Sequence, residues 1–202
     1  MFLEAIVRLY DYQRESNDHL FEVTANVGAS DLTNVIVDGQ PSIRDTLIHM
    51  ISTIRTHNAW WSGKLSGEDA FELTGIAENF PDLESIRMFW ASVDQELKTF
   101  IDSLNLNSDL ERTYSRIPPN GETRNRVLWE MMLHVINHGT QHRSEVAMML
   151  TKLGHSPGDM EILLSITNFS CGITVESHSN NRKYMWKNQR NYQQKPISIL
   201  NY

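Results

Sequence analysis

The chain of 202 residues contains a single cysteine, Cys171. That excludes an internal disulfide framework and leads us to expect a reducing, cytoplasmic setting. Basic residues are also in short supply. Eighteen Lys and Arg face 25 Asp and Glu, for a net charge of −7, which disfavours a general nucleic-acid binder because phosphate recognition relies on Lys and Arg. No apolar run approaches the length of a transmembrane helix, so no membrane role is expected. Nor does the chain open with a basic start and an apolar block: Arg8, Asp11, Arg14 and Glu15 come too early. With 40% hydrophobic and 21% charged residues, the composition is that of a globular protein long enough to bury a real core.

Proline and glycine are few, and their positions punctuate a helical chain. Phe2–Val27 has neither, and Leu3, Ile6, Leu9, Tyr10, Leu20 and Val23 give it an amphipathic spacing. Gly28–Gln40 reads as a connection. Pro41 opens a second helix to about Ser62, with Ser42 and Asp45 in its first turn. Ser66–Phe80 is expected to be irregular, broken around Gly67 and Gly75. Pro81-Asp82 starts a third helix carrying Leu83, Ile86, Phe89, Trp90, Val93, Leu97 and Ile101. Glu111–Ile117 and Glu122–Asn125, joined by Pro-Pro-Asn-Gly, predict a short hairpin or extended loop. A fourth helix from about Arg126 to Leu153 stops at Gly154, and a shorter fifth is expected over Gly158–Ile166. The fold class is therefore all-α: an antiparallel four-helix bundle with a short hairpin insertion before the fourth long helix.

Charge divides the chain at Thr167. From there on, Arg182, Lys183, Lys187, Arg190 and Lys195 face only Glu176, a net of +4, which leaves −11 on residues 1–166. We expect residues 1–166 to form the domain and 167–202 a basic, polar tail. That tail can be solvated and partly disordered or docked on the body or a partner subunit. Tyr184, Trp186 and Tyr192 beside those cations can also stack on single-stranded nucleic acid.

The most informative residues are the histidines of the fourth helix. His134, His138 and His142 fall four apart, so on a helix they share one stripe. Two neutral imidazoles one turn apart can grip a single divalent ion. At about 100° per residue, with His138 at zero, the apolar residues Leu128, Met132, Val135, Gly139, Val146, Leu150 and Leu153 cluster at roughly 60–120°. His142 lies at about 40° and His134 at about −40°. His138 and His142 can thus reach an interior or cleft, while His134 is more peripheral. The blander reading is a set of hydrogen-bonded boundary histidines.

A catalytic or closed metal site needs a third ligand from elsewhere. His49 and His57 on the second helix, His19 on the first and His155 after the fourth are the candidates, and spacing does not choose among them. His49 sits nearly opposite the apolar stripe of Ile43, Leu47, Ile51, Ile54 and Trp61, on a polar strip with Asp45, Thr46 and Thr53. Taken alone, it would be placed on the surface.

Two stretches resemble the signature regions of the DinB/YfiT-like family: Ser42-Ile-Arg-Asp-Thr-Leu-Ile-His49-Met50 and His134-Val-Ile-Asn-His138-Gly-Thr-Gln-His142-Arg143. The opening helix, with Tyr10-Asp11-Tyr12 ahead of Asn17-Asp18-His19-Leu20, is similar to that family's first helix. Asn120-Gly121 followed by Trp129-Glu130 fits as well. The resemblance covers residues 1–166. It implies a four-helix bundle with up-down-down-up connection, often dimeric, that binds a divalent metal through three histidines. Matched position by position, these are His49, His138 and His142, with His134 outside the ligand set. Two features depart from the pattern. The basic tail has no counterpart, and Ser144-Glu145 stands where glycine commonly follows. Glu145 can be a proton acceptor near the metal or, as the favoured reading, a solvated helix charge.

Three imidazoles suit zinc, nickel or iron without selecting among them. Characterised members of the family include thiol-dependent S-transferases and maleylpyruvate isomerase, which use low-molecular-weight thiols. The resemblance therefore implies a metal-dependent enzyme activating a small thiol cofactor or water on a small-molecule substrate. A non-catalytic metal- or ligand-binding stress protein and a metal-dependent hydrolase are the alternatives. It also implies a homodimer, for which Trp60, Trp61 and Trp90 are expected to be exposed contributors.

Overall fold

The computed structural model describes residues 2–73, 75–117 and 121–162. The expected tail from residue 167, with its possible nucleic-acid or docking role, lies outside them. So does most of the expected fifth helix, of which Gly158–Glu161 is irregular.

The described residues are mostly helical, with one small two-stranded sheet. Four long helices, α1 (Phe2–Thr24), α3 (Ile43–Trp61), α5 (Leu83–Asp102) and α6 (Leu128–Lys152), account for most of them. Local chemistry sets their ends. Ser42 caps α3, its hydroxyl accepting the Asp45 N–H at 3.1 Å. Asp82 caps α5 in a reciprocal box with Ser85. Such caps satisfy backbone donors that have no partner inside the helix. At the far end of α6, Gly154 adopts φ +86°. Its N–H donates to Thr151 O at 3.0 Å, and the next N–H, of His155, to Leu150 O at 2.8 Å. That pairing ends a helix and favours glycine at the left-handed position.

The connections contain more structure than their composition predicts. The Gly28–Gln40 segment holds the one-turn helix α2 (Ala29–Thr33). The supposedly irregular Ser66–Phe80 segment holds α4 (Gly67–Phe71) and a 3₁₀ turn at Ala77–Asn79. Gly67 does not break the chain there. It opens α4 behind the cap Ser66 and sits so close to the hairpin that a Cβ would meet the Arg116 side chain at 3.0 Å. The hairpin pairs β1 (Thr113–Arg116) with β2 (Arg124–Val127), in register from Thr113↔Val127 to Arg116↔Arg124.

Helix α3 packs against both α6 and α5, and α1 packs against α6 and more lightly against α5. The core is built from the stripes the periodicity marked out. Ile6, Tyr10 and Leu20 come from α1, Ile43, Leu47, Ile51 and Ile54 from α3, and Ile86, Val93, Leu97 and Ile101 from α5. Helix α6 adds Leu128, Met132, Val135, Val146 and Leu150. Burying each such side chain contributes about 1.5–3 kcal/mol.

One expectation is overturned. Trp60, Trp61 and Trp90 are 7%, 2% and 5% exposed, so they are core residues and not surface contributors to a dimer. Trp61 and Trp90 sit on the apolar stripes of their own helices, and their indole N–H groups are used internally. Trp61 donates to Asn58 Oδ1 at 2.9 Å and Trp90 to Asp18 Oδ1 at 3.0 Å. A large aromatic with its polar atom satisfied inside is cheapest to bury. Among the described residues, no helix is long and apolar enough to cross a membrane.

Candidate metal centre

Helix α3 is buried on nearly all sides, but it leaves open the strip that carries Asp45, His49 and Thr53. This is part of the polar strip seen in the sequence; Thr46, assigned to it as well, is buried. The strip faces α6. His57 lies near His134, while His49 meets His138 and His142, so α3 and α6 run antiparallel with their histidines in register.

His138 Nε2 lies 3.1 Å from His49 Nε2 and 3.1 Å from His142 Nε2. One ligand atom from each of the three residues lies within 4.8 Å of the others. Two nitrogens on one ion, each about 2.0–2.1 Å away at a roughly tetrahedral angle, stand about 3.3 Å apart. The two short separations therefore have the spacing of co-ligands.

Proton bookkeeping favours a shared cation. Glu145 Oε2 lies 2.6 Å from His142 Nδ1, and a carboxylate only accepts, so Nδ1 carries a hydrogen and Nε2 is the nitrogen left to present a lone pair to an ion. His138 Nε2 then faces two nitrogens and has at most one hydrogen, which cannot lie along both lines. At most one of the two 3.1 Å contacts is then a good hydrogen bond, and a cation between the nitrogens satisfies both. The donor set fits a divalent ion.

His138 and His49 are held toward the ligating, neutral form. Burial pushes the His138 pKa down to about 4, helped by its neighbours His142, His49 and His134. Burial also lowers His49, together with His142 and against the pull of Glu145. At Glu145 burial works upward, but the hydrogen bonds from His142 and Gln141 prevail and keep the carboxyl below its ordinary value. Its carboxylate is therefore charged near neutrality and orients His142 as an outer-shell partner. Glu145 is not the solvated helix charge favoured from the sequence. The spacing of three residues after His142 was the one available signal.

The other histidines among the described residues lie elsewhere. His19 Nε2 donates to Pro157 O at 2.8 Å. His155 takes part in the cap of α6 through its backbone. His57 is 8% exposed and its Nδ1 donates to Thr53 O at 2.9 Å. His134 is exposed, its ring centroid 5.5 Å from that of His57 and 5.9 Å from that of His138. His57 and His134 thus extend the row of imidazoles without joining the converging nitrogens.

Behind the ligands, Arg143 is 2% exposed. It donates to Asn17 Oδ1 at 3.2 Å and to Thr140 Oγ1 at 2.9 Å, tying α6 to α1. Gly139 permits this approach, since a Cβ there would meet Gln13 Oε1 at 2.8 Å and Arg143 Nη1 at 2.9 Å.

A sequence profile described as the DinB family matches residues 1–168. The protein from Bacillus subtilis (strain 168) named Protein DinB is 23% identical over 165 residues, which span 79% of this chain and 94% of that protein.

Proposed function

The chain belongs to the DinB family, and on that premise we propose that it is a metal-dependent enzyme whose ion is held by His49, His138 and His142. The observation that carries this reading is the convergence of three imidazole nitrogens from two helices, two of the separations being 3.1 Å. Three neutral imidazoles leave a divalent ion its full charge and open coordination positions, and such an ion lowers the pKa of a bound water or thiol toward neutrality. Zinc, nickel and iron all suit the donor set.

The chain's own residues supply the rest. Glu145 holds the His142 ring and its tautomer, so that Nε2 stays free to ligate. His138, on the buried side, stays unprotonated down to about pH 4. His49 is exposed, so a small molecule can approach the site from its side. The reaction we assign is activation of a low-molecular-weight thiol for transfer to an electrophilic small molecule, in keeping with S-transferases of this family.

The finer architecture belongs to the same reading. The four long helices form an up-down-down-up bundle, and two copies associate in the cytoplasm.

The test is elemental analysis of protein purified without an affinity tag, followed by a thiol-transfer screen on the metal-loaded form. One equivalent of metal per chain and consumption of thiol with an electrophile is the expected result. Metal without thiol consumption would favour a binding protein, cleavage of an ester or amide a hydrolase, and failure to bind metal would overturn the reading.

A further inference from the structure

The row of imidazoles does not end at His134. His57 lies edge to face with Phe71 of α4, ring centroids 5.4 Å apart. On Phe71 rests the guanidinium of Arg116 from β1, its central carbon 3.5 Å from the ring centroid. Arg116 is half-buried, and its Nε is shielded from solvent with no hydrogen-bond partner. Its charged neighbour, Glu68, is an exposed carboxylate engaged by the backbone N–H of Ile117 at 2.6 Å.

The placement is fixed from several sides. Gly67 packs against the Arg116 stem and Trp60, at distances that leave no room for a side chain. Tyr114, two residues away on the same strand, donates its hydroxyl to Trp61 O at 2.7 Å. The hairpin is thereby fastened to the end of α3, and it presents a guanidinium flat on an aromatic face. A guanidinium held in this way keeps its fork of donors pre-organised for a carboxylate or phosphate.

Arg116 lies close enough to His57 to act on its charge. We infer that Arg116, seated on Phe71, is a subsite for an oxyanion group of the molecule that reaches the three-histidine centre. The inference rests on the metal-site reading above. Three neutral imidazoles leave the ion's charge uncompensated, and the row leading away from it ends in a second cation. Both cations attract anions. The row spans several ring contacts of 5–6 Å, from His138 through His134 and His57 to Phe71. A two-carbon thiol is too short to touch both ends. A thiol of peptide or nucleotide size, carrying a carboxylate or phosphate remote from its sulfur, matches.

The test uses two matched pairs of thiols on the cobalt-loaded full chain: glutathione against its diethyl ester, and coenzyme A against pantetheine. Calorimetric titration reads affinity, and the visible absorption of cobalt reads whether sulfur reaches the ion. We expect the charged member of one pair to bind roughly tenfold or more tightly than its neutral counterpart, as charge-assisted hydrogen bonds are strong. Preference within the glutathione pair identifies a carboxylate, and within the coenzyme A pair a phosphate. Arg116→Gln should bring that ratio close to one while leaving cobalt stoichiometry and the affinity of the neutral thiol unchanged. Equal affinities within both pairs, or a ratio that survives Arg116→Gln, would overturn the subsite. Retained anion preference with no change in cobalt absorption would overturn the thiol reading instead, and leave the subsite standing.

Discussion

Glu145 Oε2 stands 2.6 Å from His142 Nδ1, one turn along the same helix. The contact decides which nitrogen of His142 carries the hydrogen and which is free for an ion. Replacing Glu145 by Gln keeps the shape but removes the charge that fixes this tautomer. We expect metal affinity to fall about 10–100-fold with little change in folding, measured by competition with a chromophoric chelator. Unchanged affinity would show that the carboxylate is incidental to the site.

The ligands themselves should be far more sensitive. His138→Ala and His142→Ala are expected to abolish metal binding, and His49→Ala to do the same. His134→Ala should reduce it only modestly, because its ring lies beside His138 and outside the converging nitrogens. Equal loss from all four replacements would show that the coordination is misplaced. A structure of the loaded protein should bring the widest of the three nitrogen pairs, now within 4.8 Å, to no more than about 4.1 Å, the limit for two nitrogens on one ion.

Acid should destabilise the metal-free protein. Burial holds His57 at about 4, opposed by its bond to Thr53 and reinforced by His134 and Arg116, whereas an unfolded histidine titrates near 6.5. Between those values the unfolded state binds more protons, so stability falls as pH is lowered through 6.5 toward 4. For this one buried residue the loss is on the order of 2–3 kcal/mol. Urea midpoints across that range should show it, and His57→Phe should make the profile shallower, with His138 supplying slope that remains. A variant with the wild-type slope would assign the effect elsewhere.

Gly139→Ala should destabilise the protein although alanine is the better helix former. A Cβ would press on Gln13 Oε1 and Arg143 Nη1, two atoms at the α1–α6 contact. Overpacking of this kind costs about 1–3 kcal/mol, against roughly 1 kcal/mol gained in helix propensity. Thermal melts of the variant check the sign. A rise in Tm would mean that these side chains yield freely.

Truncation before Thr167 should leave the helices and metal binding intact, because the four long helices and all three ligands precede it. Metal titration and limited proteolysis of the shortened chain measure this. Loss of metal or of the fold would place part of the core in the tail.

Helix positions were readable in the sequence because helices end for local reasons. Ser42, Asp82 and Gly154 cap or stop their helices with groups a few residues away, and the observed bounds of α3, α5 and α6 fall within about two residues of those expected, the usual uncertainty of a helix end. Trp61 and Trp90 were misread as surface residues although their own stripes marked them as core. The short helices α2 and α4 were missed for a different reason. A five-residue helix has too few turns for a periodic stripe, and α4 owes its position to α3 and β1.

The site divides in the same way. A spacing of four places His134, His138 and His142 on one line of one helix, and nothing beyond that helix is needed to see it. Family resemblance, and not periodicity, pointed to His49, which sits opposite the apolar stripe of α3. Periodicity fixes a residue's angle about its own axis, but it carries no information on which helix will face it. The antiparallel packing of α3 on α6 supplied that. It brought an outward histidine to within 3.1 Å of His138, and the seating of the hairpin against α4 laid Arg116 on Phe71. Both depend on contacts between segments far apart in the chain, whose geometry comes only from tertiary packing, whereas the bond from His142 to Glu145 is local to α6.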